Sequence, residues 1–274
     1  MALAAVPTFG RVTEFEENPK EDAGENADSR GVIVTGGGTG IGRATARAFA
    51  DRQDRVLVVG RSASTLTETA RGYPNIHTLP VDITEPGAAE TIVRAALREF
   101  GRIDVLVNNA STAVPAPLEN IAPAEVDRLL AVNLRAPIAL TREALDALTR
   151  TRGTVVNLSS AGSLGRRAWP NFSLYGSSKV ALDFLTRTWA VELAPRGIRV
   201  VSVAPGVIET GMGIRMGSSP EEYARFLEWM EKITPLGRVG QPEEIAWWVV
   251  QVAAPEAGFV TGTVLAVDGG ASIV

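Results

Sequence analysis

The sequence has no cysteine and only one histidine, and both scarcities exclude classes of site. Without cysteine there can be no disulfide, no thiolate nucleophile and no cysteine-based metal site. His77 stands alone in a stretch with the pattern of a strand, so a histidine-rich metal site is excluded and we expect this residue to be structural. Acid–base chemistry must therefore use Tyr, Lys, Asp or Glu.

Long apolar runs are also missing. No run reaches the roughly 18 residues that a membrane span needs. Residues 1–7 lack the basic region and the apolar core of a secretory signal, so we expect a cytoplasmic protein.

The net charge of −4 comes from one end of the chain. Residues 1–30 hold seven acidic and three basic side chains, which leaves 24 of each sign for residues 31–274. A neutral body offers no electrostatic reason to bind nucleic acid. The acidic segment 1–30 is predicted to be a poorly ordered extension.

From residue 31 onward, short Val/Ile-rich runs alternate with amphipathic segments, which indicates a parallel sheet covered on both faces. Strands are predicted at 31–35, 56–59, 76–81, 103–107, 154–158, 198–203 and 263–267. Helices are predicted at 43–52, 62–71, 87–100, 123–150, 175–194, 220–232 and 242–254. The pattern predicts one doubly wound α/β domain over residues 31–274, with about seven parallel strands and helices on both faces.

Tyr175 and Lys179 are spaced by one helical turn, so their side chains share one helix face. A positive charge beside a phenol favours the phenolate, and lowering the phenol pKa by roughly 3 units needs about 4 kcal/mol. The hydroxyls of Ser159 and Ser160 could hold a carbonyl oxygen against that phenol. The pattern predicts a site that moves a proton onto or off an oxygen. Taken alone, the spacing also fits an amphipathic helix with a solvated lysine.

A glycine-rich turn, Thr-Gly-Gly-Gly-Thr-Gly-Ile-Gly, occupies residues 35–42 between the first predicted strand and the first helix. Backbone amides and a helix N-terminus in this position can cradle a pyrophosphate. The glycines at 36, 40 and 42 depart from the common G-x-G-x-x-G register, and a merely tight turn is the alternative.

These motifs together resemble the short-chain dehydrogenase/reductase family. The resemblance is carried by Thr-Gly-x-x-x-Gly-Ile-Gly at 35–42, Asn-Asn-Ala at 108–110, Ser160 and Tyr-x-x-x-Lys at 175–179. Supporting pieces are Val-Asp-Ile-Thr at 81–84, Val-Asn at 132–133, Pro-Gly-Val-Ile-Glu-Thr at 205–210 and Asp-Gly-Gly at 268–270. The order holds over about nine-tenths of the chain. Two departures are Ser111, where glycine is usual, and a gap between Ser160 and Tyr175 that is about two residues longer than is common.

The resemblance implies a Rossmann-type fold and a catalytic tetrad. Tyr175 would be the catalytic acid/base, and Lys179 its activating charge and a ligand of the nicotinamide ribose. Ser160 would hold the substrate oxygen, with Ser159 and Ser163 as weaker candidates, and Asn133 would complete the tetrad. Enoyl reductases of the family place Tyr and Lys farther apart, so C=O/CH–OH chemistry is favoured over C=C reduction.

The resemblance also implies a dinucleotide site and no metal. Residues 82–83 would flank the adenine, residues 109–110 the adenosine ribose, and residues 205–210 the nicotinamide carboxamide. The expected cofactor contacts are Gly36, Gly38, Thr39, Gly40, Ile41, Gly42, Arg61, Ser62, Asp82, Ile83, Asn109, Ala110, Tyr175, Lys179, Pro205, Gly206, Ile208 and Thr210.

The cofactor is predicted to be NADP(H) rather than NAD(H). Gly-Arg-Ser at 60–62 follows the second strand, without the Asp or Glu that would accept from a ribose 2′-hydroxyl. The guanidinium of Arg61 would pair well with a 2′-phosphate. An exposed arginine at the start of a helix is the alternative.

Two variable stretches are expected to shape the substrate pocket. Residues 161–174 contain Arg166, Arg167, Trp169 and Phe172, and residues 209–234 contain Met212, Met216, Phe226, Trp229 and Met230. Aromatic and Met side chains suit an apolar ketone, including a polycyclic one. Packing within a lid formed by these stretches explains them equally well. The two arginines fit either an anionic substrate or a solvated loop.

The predicted function is therefore an NADP(H)-dependent ketoreductase. A dehydrogenase working in the oxidative direction is the alternative within enzymes. A non-catalytic dinucleotide-binding sensor is the alternative outside them, and the intact tetrad argues against it.

Helices 123–150 and 175–194 correspond to those through which family members form dimers or tetramers, so a homo-oligomer is expected. In the second helix Ala181, Phe184, Leu185, Thr188 and Trp189 exceed what one sheet-facing stripe requires.

Pro137 lies inside the predicted helix 123–150 and has no N–H to donate to the carbonyl of Asn133. We expect a kink there and an ordered water on the freed carbonyl. In the family such a water leads towards the active-site lysine, here Lys179. An exposed, tolerated proline kink is the alternative.

Overall fold

The computed structural model describes residues 29–164 and 168–274. Within them, seven parallel strands form one sheet in the order β3-β2-β1-β4-β5-β6-β7. The predicted fold class is confirmed. Residues 1–28 of the predicted extension lie outside the described residues. The strands are β1 (Gly31–Thr35), β2 (Arg55–Gly60), β3 (Ile76–Pro80), β4 (Val105–Asn108), β5 (Thr154–Leu158), β6 (Arg199–Pro205) and β7 (Val264–Val267).

Most helices lie close to their predicted positions. They are α1 (Gly40–Ala50), α2 (Ala63–Ala70), α3 (Ala88–Phe100), α4 (Pro123–Leu130), α5 (Ala136–Thr151), α6 (Ser173–Leu193), α7 (Met212–Arg215), α8 (Pro220–Ile233) and α9 (Pro242–Val252). Two differ from the prediction: the helix predicted over 123–150 is α4 and α5 joined by a π-helical turn at Ala131–Arg135, and the short α7 was not predicted.

The two faces of the sheet carry separate hydrophobic cores. Side chains alternate along β1, so Val32 and Val34 pack against α1 and α9 on one face. Ile33 between them packs against α3, α5 and α6 on the other face. Because both faces are buried, the strands are continuous apolar runs rather than alternating ones.

The direction of the strand order reverses at β1, which lies between β2 and β4. The chain builds outward to β3, returns to place β4 on the other side of β1, and continues to β7. In open parallel sheets, ligands bind outside the carboxyl ends of the strands at such a reversal. The fold therefore places a crevice beside the ends of β1 and β4.

His77 lies on β3, the strand at the far edge of the sheet. Its Nδ1 is 3.6 Å from a carboxylate oxygen of Glu99, and its ring packs edge-on against Phe100. These contacts fit the structural role expected for this residue. Among the described helices, none has both the length and the apolar character that crossing a membrane requires.

Candidate active site

The candidate site is built at the carboxyl ends of three neighbouring strands. β1 ends at Thr35, β4 at Asn108 and β5 at Leu158, and these strands are adjacent in the sheet. The residue immediately after each strand end begins a motif that the sequence singled out: the glycine turn, Asn109 and Ser159–Ser160. Parallel pairing alone brings these motifs to one edge.

The glycine turn opens onto the free N-terminus of α1. The residue before the helix, Thr39, has extended backbone and makes no side-chain hydrogen bond to the helix. No acidic side chain lies in the first helical turn. The first amides of a helix have no partner within it and carry the positive end of its dipole. This end of α1 is therefore suited to the pyrophosphate of a dinucleotide.

Two glycines of the turn leave no room for a side chain. Gly36 has φ +65°, in the left-handed region that favours glycine. A Cβ on Gly42 would lie 2.5 Å from Nδ2 of Asn109 and closer still to the carbonyl oxygen of Gly36. The close packing of α1 against the turn explains why these positions are glycine.

Asn109 holds the glycine turn rather than reaching out of it. Its Nδ2 donates to the carbonyl oxygens of Thr35 (2.8 Å) and Gly36 (3.3 Å). The Oγ1 of Thr35 accepts from the backbone N–H groups of Asn109 and Ala110. The amide nitrogen of the Asn109 side chain and both backbone N–H groups are therefore engaged, and a cofactor contact from this predicted pair would fall to Oδ1 of Asn109, the backbone carbonyls or the Ala110 methyl group.

Tyr175 and Lys179 lie on the same face of α6, as predicted. The Nζ of Lys179 is 5.5 Å from the centre of the Tyr175 ring and donates to the carbonyl oxygen of Leu158 at 2.8 Å. Lys179 is 2% exposed, so its ammonium is held inside the protein. Ser160 lies close enough to the Tyr175 hydroxyl to lower the pKa of the phenol. A phenol, a hydroxyl and a cation are therefore brought together.

The pKa values of this pair do not follow the simple sequence argument. Burial raises the pKa of Tyr175, and the hydrogen bond from Ser160 opposes that rise. Burial lowers the pKa of Lys179 to about 8, while the negative charge of Asp183 works in the other direction. The spacing of Tyr175 and Lys179 predicted a lowered pKa for the phenol, and this was wrong, because the pKa of Tyr175 is raised. Desolvation, which disfavours both charged forms, outweighs the attraction between them.

The three candidate serines divide into distinct roles. Ser160 precedes a 3₁₀ turn at Ala161–Ser163, and its Oγ accepts from the N–H of Gly162 at 3.1 Å, which leaves its proton free to donate. Ser159 is buried and its Oγ lies 3.1 Å from that of Ser163. Ser160 is therefore the serine that faces Tyr175, whereas the other two hold the turn.

Asn133 is buried behind the site and acts through both ends of its amide. Its Oδ1 accepts from the N–H of Thr112 (2.9 Å) and the hydroxyl of Ser111 (3.3 Å). Its Nδ2 donates to the carbonyl oxygen of Thr112 (2.9 Å) and to Oγ of Ser178 (3.0 Å). Ser178 in turn donates to the carbonyl oxygen of Tyr175 at 2.7 Å. Through Ser178, Asn133 thus connects the segment after β4 to the turn of α6 that carries Tyr175 and Lys179.

Ser178 was not identified from the sequence. Its only signal was its place beside Lys179 in Tyr-Gly-Ser-Ser-Lys. The contact with Asn133 spans 45 residues, and no local pattern reports it.

The interruption predicted at Pro137 takes the form of the π-helical turn at Ala131–Arg135. There the N–H of Ala136 donates to the carbonyl of Ala131, five residues back instead of four. Pro137 then lies in the first turn of α5, where a missing N–H is tolerated. The water expected on the Asn133 carbonyl stays a prediction.

The residues expected at the nucleotide end lie after β2 and β3. Ser62 caps α2, as predicted, by accepting from the N–H of Thr65. Arg61 beside it is exposed. Asp82 accepts from the N–H and the hydroxyl of Thr84, which lower the pKa of its carboxyl, with a smaller contribution from the charge of Arg61. Ile83 follows in the same turn and is partly buried.

The segment from Pro205 to Thr210 closes the other side of the crevice. Gly206 donates to Val267 on β7, and Ile208 pairs with Gly240 in an isolated parallel bridge. A Cβ on Gly40 would lie 3.0 Å from Thr210, so this segment touches the glycine turn. The predicted cofactor contacts from both ends of the chain are therefore neighbours.

The two variable stretches differ in what they contribute. Arg166 and Arg167 lie outside the described residues. Trp169 and Phe172 are partly buried, and the Phe172 ring packs edge-on against Tyr175. In the segment 209–234 Phe226, Trp229 and Met216 are exposed and Met212 is partly buried, whereas Met230 is buried. Met230 packs within the protein, and the three exposed side chains are left as candidates for an apolar ligand.

The crevice fits a nicotinamide dinucleotide by the chemistry of its donors. It offers an uncapped helix N-terminus for the phosphates at one end and the hydroxyls of Ser160 and Tyr175 at the other. Across residues 29–164 and 168–274, no three His, Asp or Glu side chains come together as metal ligands would.

Comparisons with known proteins agree with this geometry. A family model described as enoyl-(acyl carrier protein) reductase matches residues 36–272. The 3-oxoacyl-[acyl-carrier-protein] reductase FabG of Thermotoga maritima is 35% identical over 87% of this chain and 96% of that protein. The 3beta-hydroxysteroid dehydrogenase 1 of Eggerthella lenta is 34% identical over 88% of this chain and 93% of that protein.

A solved structure gives the same picture. The 3-ketoacyl-(acyl-carrier-protein) reductase from Brucella melitensis, complexed with NADH, superposes with a TM-score of 0.80 at 29% identity. The match covers 89% of this chain and 98% of that one.

Proposed function

The chain belongs to the short-chain dehydrogenase/reductase family, and we propose that it is an NADP(H)-dependent ketoreductase that acts on an apolar ketone. Membership makes it an NAD(P)-dependent oxidoreductase of C=O and CH–OH groups. The observation that carries the proposal is the proximity of the Ser160 hydroxyl to Tyr175, whose ring lies 5.5 Å from the buried ammonium of Lys179.

In the proposed reduction, the carbonyl oxygen of the ketone accepts hydrogen bonds from Ser160 and Tyr175. A bound nicotinamide would supply the hydride to the carbonyl carbon. Tyr175 then transfers its phenolic proton to the oxygen and is left as a phenolate. Lys179, which lies beside the ring, stabilises that phenolate. Desolvation raises the pKa of the partly buried Tyr175 and keeps it protonated, as a proton donor must be at the start of the reaction.

Reduction of C=O rather than C=C is supported by the tight arrangement of the site. The hydroxyls of Ser160 and Tyr175 lie close together, so both could donate to one oxygen, which suits an alkoxide forming at a carbonyl. The family model is described as an enoyl reductase, but both curated relatives are named for 3-oxo or 3-hydroxy substrates.

The proposed preference for NADP(H) rests on Arg61. This guanidinium is exposed at the start of α2, next to the Ser62 cap, where a 2′-phosphate could be paired. The sequence from Gly60 to Ser62 contains no carboxylate to accept from a 2′-hydroxyl. The structural relative complexed with NADH makes a direct comparison of both cofactors necessary.

An apolar substrate is supported by the lid formed by α7 and α8. Phe226 and Trp229 are 38% and 46% exposed and lie 6.3 Å apart, and Met216 is 36% exposed. Exposed aromatic and Met side chains of this kind bind apolar ligands of varied shape. The relative named as a hydroxysteroid dehydrogenase is consistent with a polycyclic ketone as one member of this class.

We also propose that the protein is a homo-oligomer, a dimer or a tetramer, assembled through α5 and α6. Val180, Phe184 and Val191 on α6 are 51%, 63% and 77% exposed, and Ile138 on α5 is 43% exposed. Exposed apolar rows on long helices mark protein–protein contacts. Trp189, which was assigned to this surface from the sequence, instead packs against the core.

The proposal is tested by assaying the full chain with NADPH and NADH against ketones, the matching secondary alcohols and an enoyl thioester. The ketones should include a short aliphatic one, a 3-oxoacyl thioester and a 3-oxosteroid. Reduction of the apolar ketones with NADPH, abolished in Tyr175→Phe, is expected. Turnover of the enoyl thioester alone, or dinucleotide binding without turnover of any ketone or alcohol, would overturn it.

A further inference from the structure

We infer that Asp183 is a positioning residue of this site: it anchors the turn that carries Ser160 and is the buried counter-charge of Lys179. The inference rests on the proposed function, because it assigns Asp183 a task in the same reaction. Asp183 lies one helical turn after Lys179 on α6, so both point to the same side of the helix.

The carboxylate of Asp183 is almost completely buried. Its exposed fraction is 4%, and a carboxylate in such a place is destabilising unless it is paired or hydrogen-bonded. Its partners are two serine hydroxyls: Ser163 donates to Oδ2 at 2.6 Å and Ser202 donates to Oδ1 at 3.0 Å. Ser202 lies on β6, so the carboxylate links α6, the sheet and the turn after β5.

The hydrogen bond between Ser163 and Asp183 connects α6 directly to the 3₁₀ turn that follows Ser160. The Oγ of Ser163 lies 2.6 Å from both the Asp183 carboxylate and the carbonyl oxygen of Ser160, and it has one proton to donate. The carbonyl of Ser160 already accepts the backbone N–H of Ser163 at 2.9 Å. A charged acceptor forms the stronger hydrogen bond, so the proton goes to Asp183. Asp183 thereby fixes the turn that directs the Ser160 hydroxyl at Tyr175.

Asp183 also places a negative charge one helical turn from Lys179. Lys179 is as deeply buried as Asp183, yet its ammonium is bonded to the neutral carbonyl of Leu158. No ion pair within 4.0 Å joins the two among the described residues, so they interact through space across the helix turn. The carboxylate favours the protonated lysine, which the proposed mechanism requires beside the Tyr175 phenolate.

Few other groups could set the protonation of Lys179. Tyr175 is titratable and lies beside it on the same helix. From the other packed elements, Ser159 after β5 reaches the backbone carbonyl of Lys179, Ser163 and Ser202 bond to Asp183, and Asn133 bonds to the neighbouring Ser178; none of these side chains titrates. Arg187, the next charge along α6, is exposed over the ring of Phe184.

The first experiment is a titration that needs no turnover. The chain contains only the lysines Lys20, Lys179 and Lys232, so lysine labelled with ¹³C at Cε gives an NMR spectrum that single substitutions assign. Asp183→Asn is expected to move the Lys179 midpoint down by roughly one pH unit. The control Glu192→Gln removes an exposed acid from the same helix and should leave that midpoint in place. Equal midpoints in wild type and Asp183→Asn would overturn the counter-charge role.

The second experiment separates charge from anchoring in the reaction. Asp183→Asn should lower kcat about tenfold and move the alkaline limb of the pH profile down with the NMR midpoint. Ser163→Ala keeps the carboxylate but breaks its link to the turn, so it should lower kcat without moving that limb. An unchanged kcat in both variants would overturn the anchoring role.

A second substitution at Asp183 and a parallel assay of Tyr175→Phe ensure that the role of Asp183 can be tested separately from the proposed function. If Asp183→Asn does not fold, Asp183→Ser offers a smaller neutral side chain with a hydroxyl for Ser163 and Ser202, and the same downward shift is expected. Tyr175→Phe is assayed alongside. Substantial turnover in Tyr175→Phe would refute the proposed function itself, whereas the NMR midpoints would still decide the role of Asp183.

Discussion

The ammonium of Lys179 donates a 2.8 Å hydrogen bond to the carbonyl oxygen of Leu158, the last residue of β5. Ser159 and Ser160 follow directly on that strand, and Tyr175 lies one turn before Lys179 on α6. The bond therefore holds the helix that carries the phenol to the strand that carries the serine. The relative positions of Ser160 and Tyr175 depend on this contact.

Tyr175→Phe is expected to lower kcat by 10² or more, because it removes the proton donor and little else. The dissociation constant of the cofactor should stay within about twofold of wild type. Steady-state kinetics and cofactor titration by fluorescence measure the two quantities. Tyr73→Phe, which alters a phenol packed under Arg47 away from the site, is the matched control. A variant that kept a third of wild-type turnover would show that another group donates the proton.

The stability of the cofactor-free protein should carry a signature of Lys179. Its pKa is about 8 in the folded protein and near 10.5 when unfolded, so between these values the unfolded chain binds more protons. The buried ammonium destabilises the folded state fully below pH 8, and this destabilisation decreases as the pH rises to 10.5. The free energy of unfolding of wild type, relative to Lys179→Met, should therefore rise by about 3 kcal/mol across that window. Urea unfolding at pH 7 and pH 10 measures it.

The control for that measurement is Lys232→Met, which changes an exposed lysine at the end of α8. Its difference from wild type should be the same at both pH values. A flat difference for Lys179→Met as well would mean that the ammonium is not buried in solution.

Arg61→Ala is expected to weaken NADPH binding roughly tenfold or more, because a charge-assisted bond to the 2′-phosphate is lost. NADH binding should change little. Isothermal titration with both cofactors checks this, with Arg71→Ala at the other end of α2 as the control. Equal dissociation constants for NADH and NADPH, unaffected by Arg61→Ala, would contradict the proposed cofactor preference.

Light scattering at micromolar concentration should give a mass of at least twice the 29.0 kDa of one chain. Phe184→Glu places a charge in the exposed row on α6 and should lower that mass. Phe226→Glu, which alters an exposed aromatic on the lid, should not. A wild-type mass near that of a single chain would refute the oligomer.

A high-resolution crystal structure is expected to show an ordered water on the carbonyl oxygen of Asn133, on the path towards Lys179. Pro137 denies that carbonyl its usual helical donor, and the π-helical turn at Ala131–Arg135 surrounds it. A carbonyl bonded within the helix or directed away from Lys179 would exclude this proton path.

Much of the fold was predictable because its signals are local. Val/Ile runs gave the strands, helical periods gave the helices, and Ser62 was recognised as a cap, since each depends on residues a few positions apart. Pro137 likewise marked the interruption of the long helix, though not its π-helical form. The pairing of Tyr175 with Lys179 was equally local, as both lie on one turn of α6.

What the sequence by itself determined was thus the order of elements, the glycine turn and the residue types available for proton transfer. Only the tertiary structure decided that Asn109 holds the turn, that Ser160 rather than Ser159 faces Tyr175, and that Asp183 lies beneath the site. It also showed that the pKa of Tyr175 shifts upward, opposite to the direction expected from the sequence. The physical reason is that hydrogen-bond partners and desolvation depend on groups brought together by packing from distant parts of the chain, which residue spacing does not record.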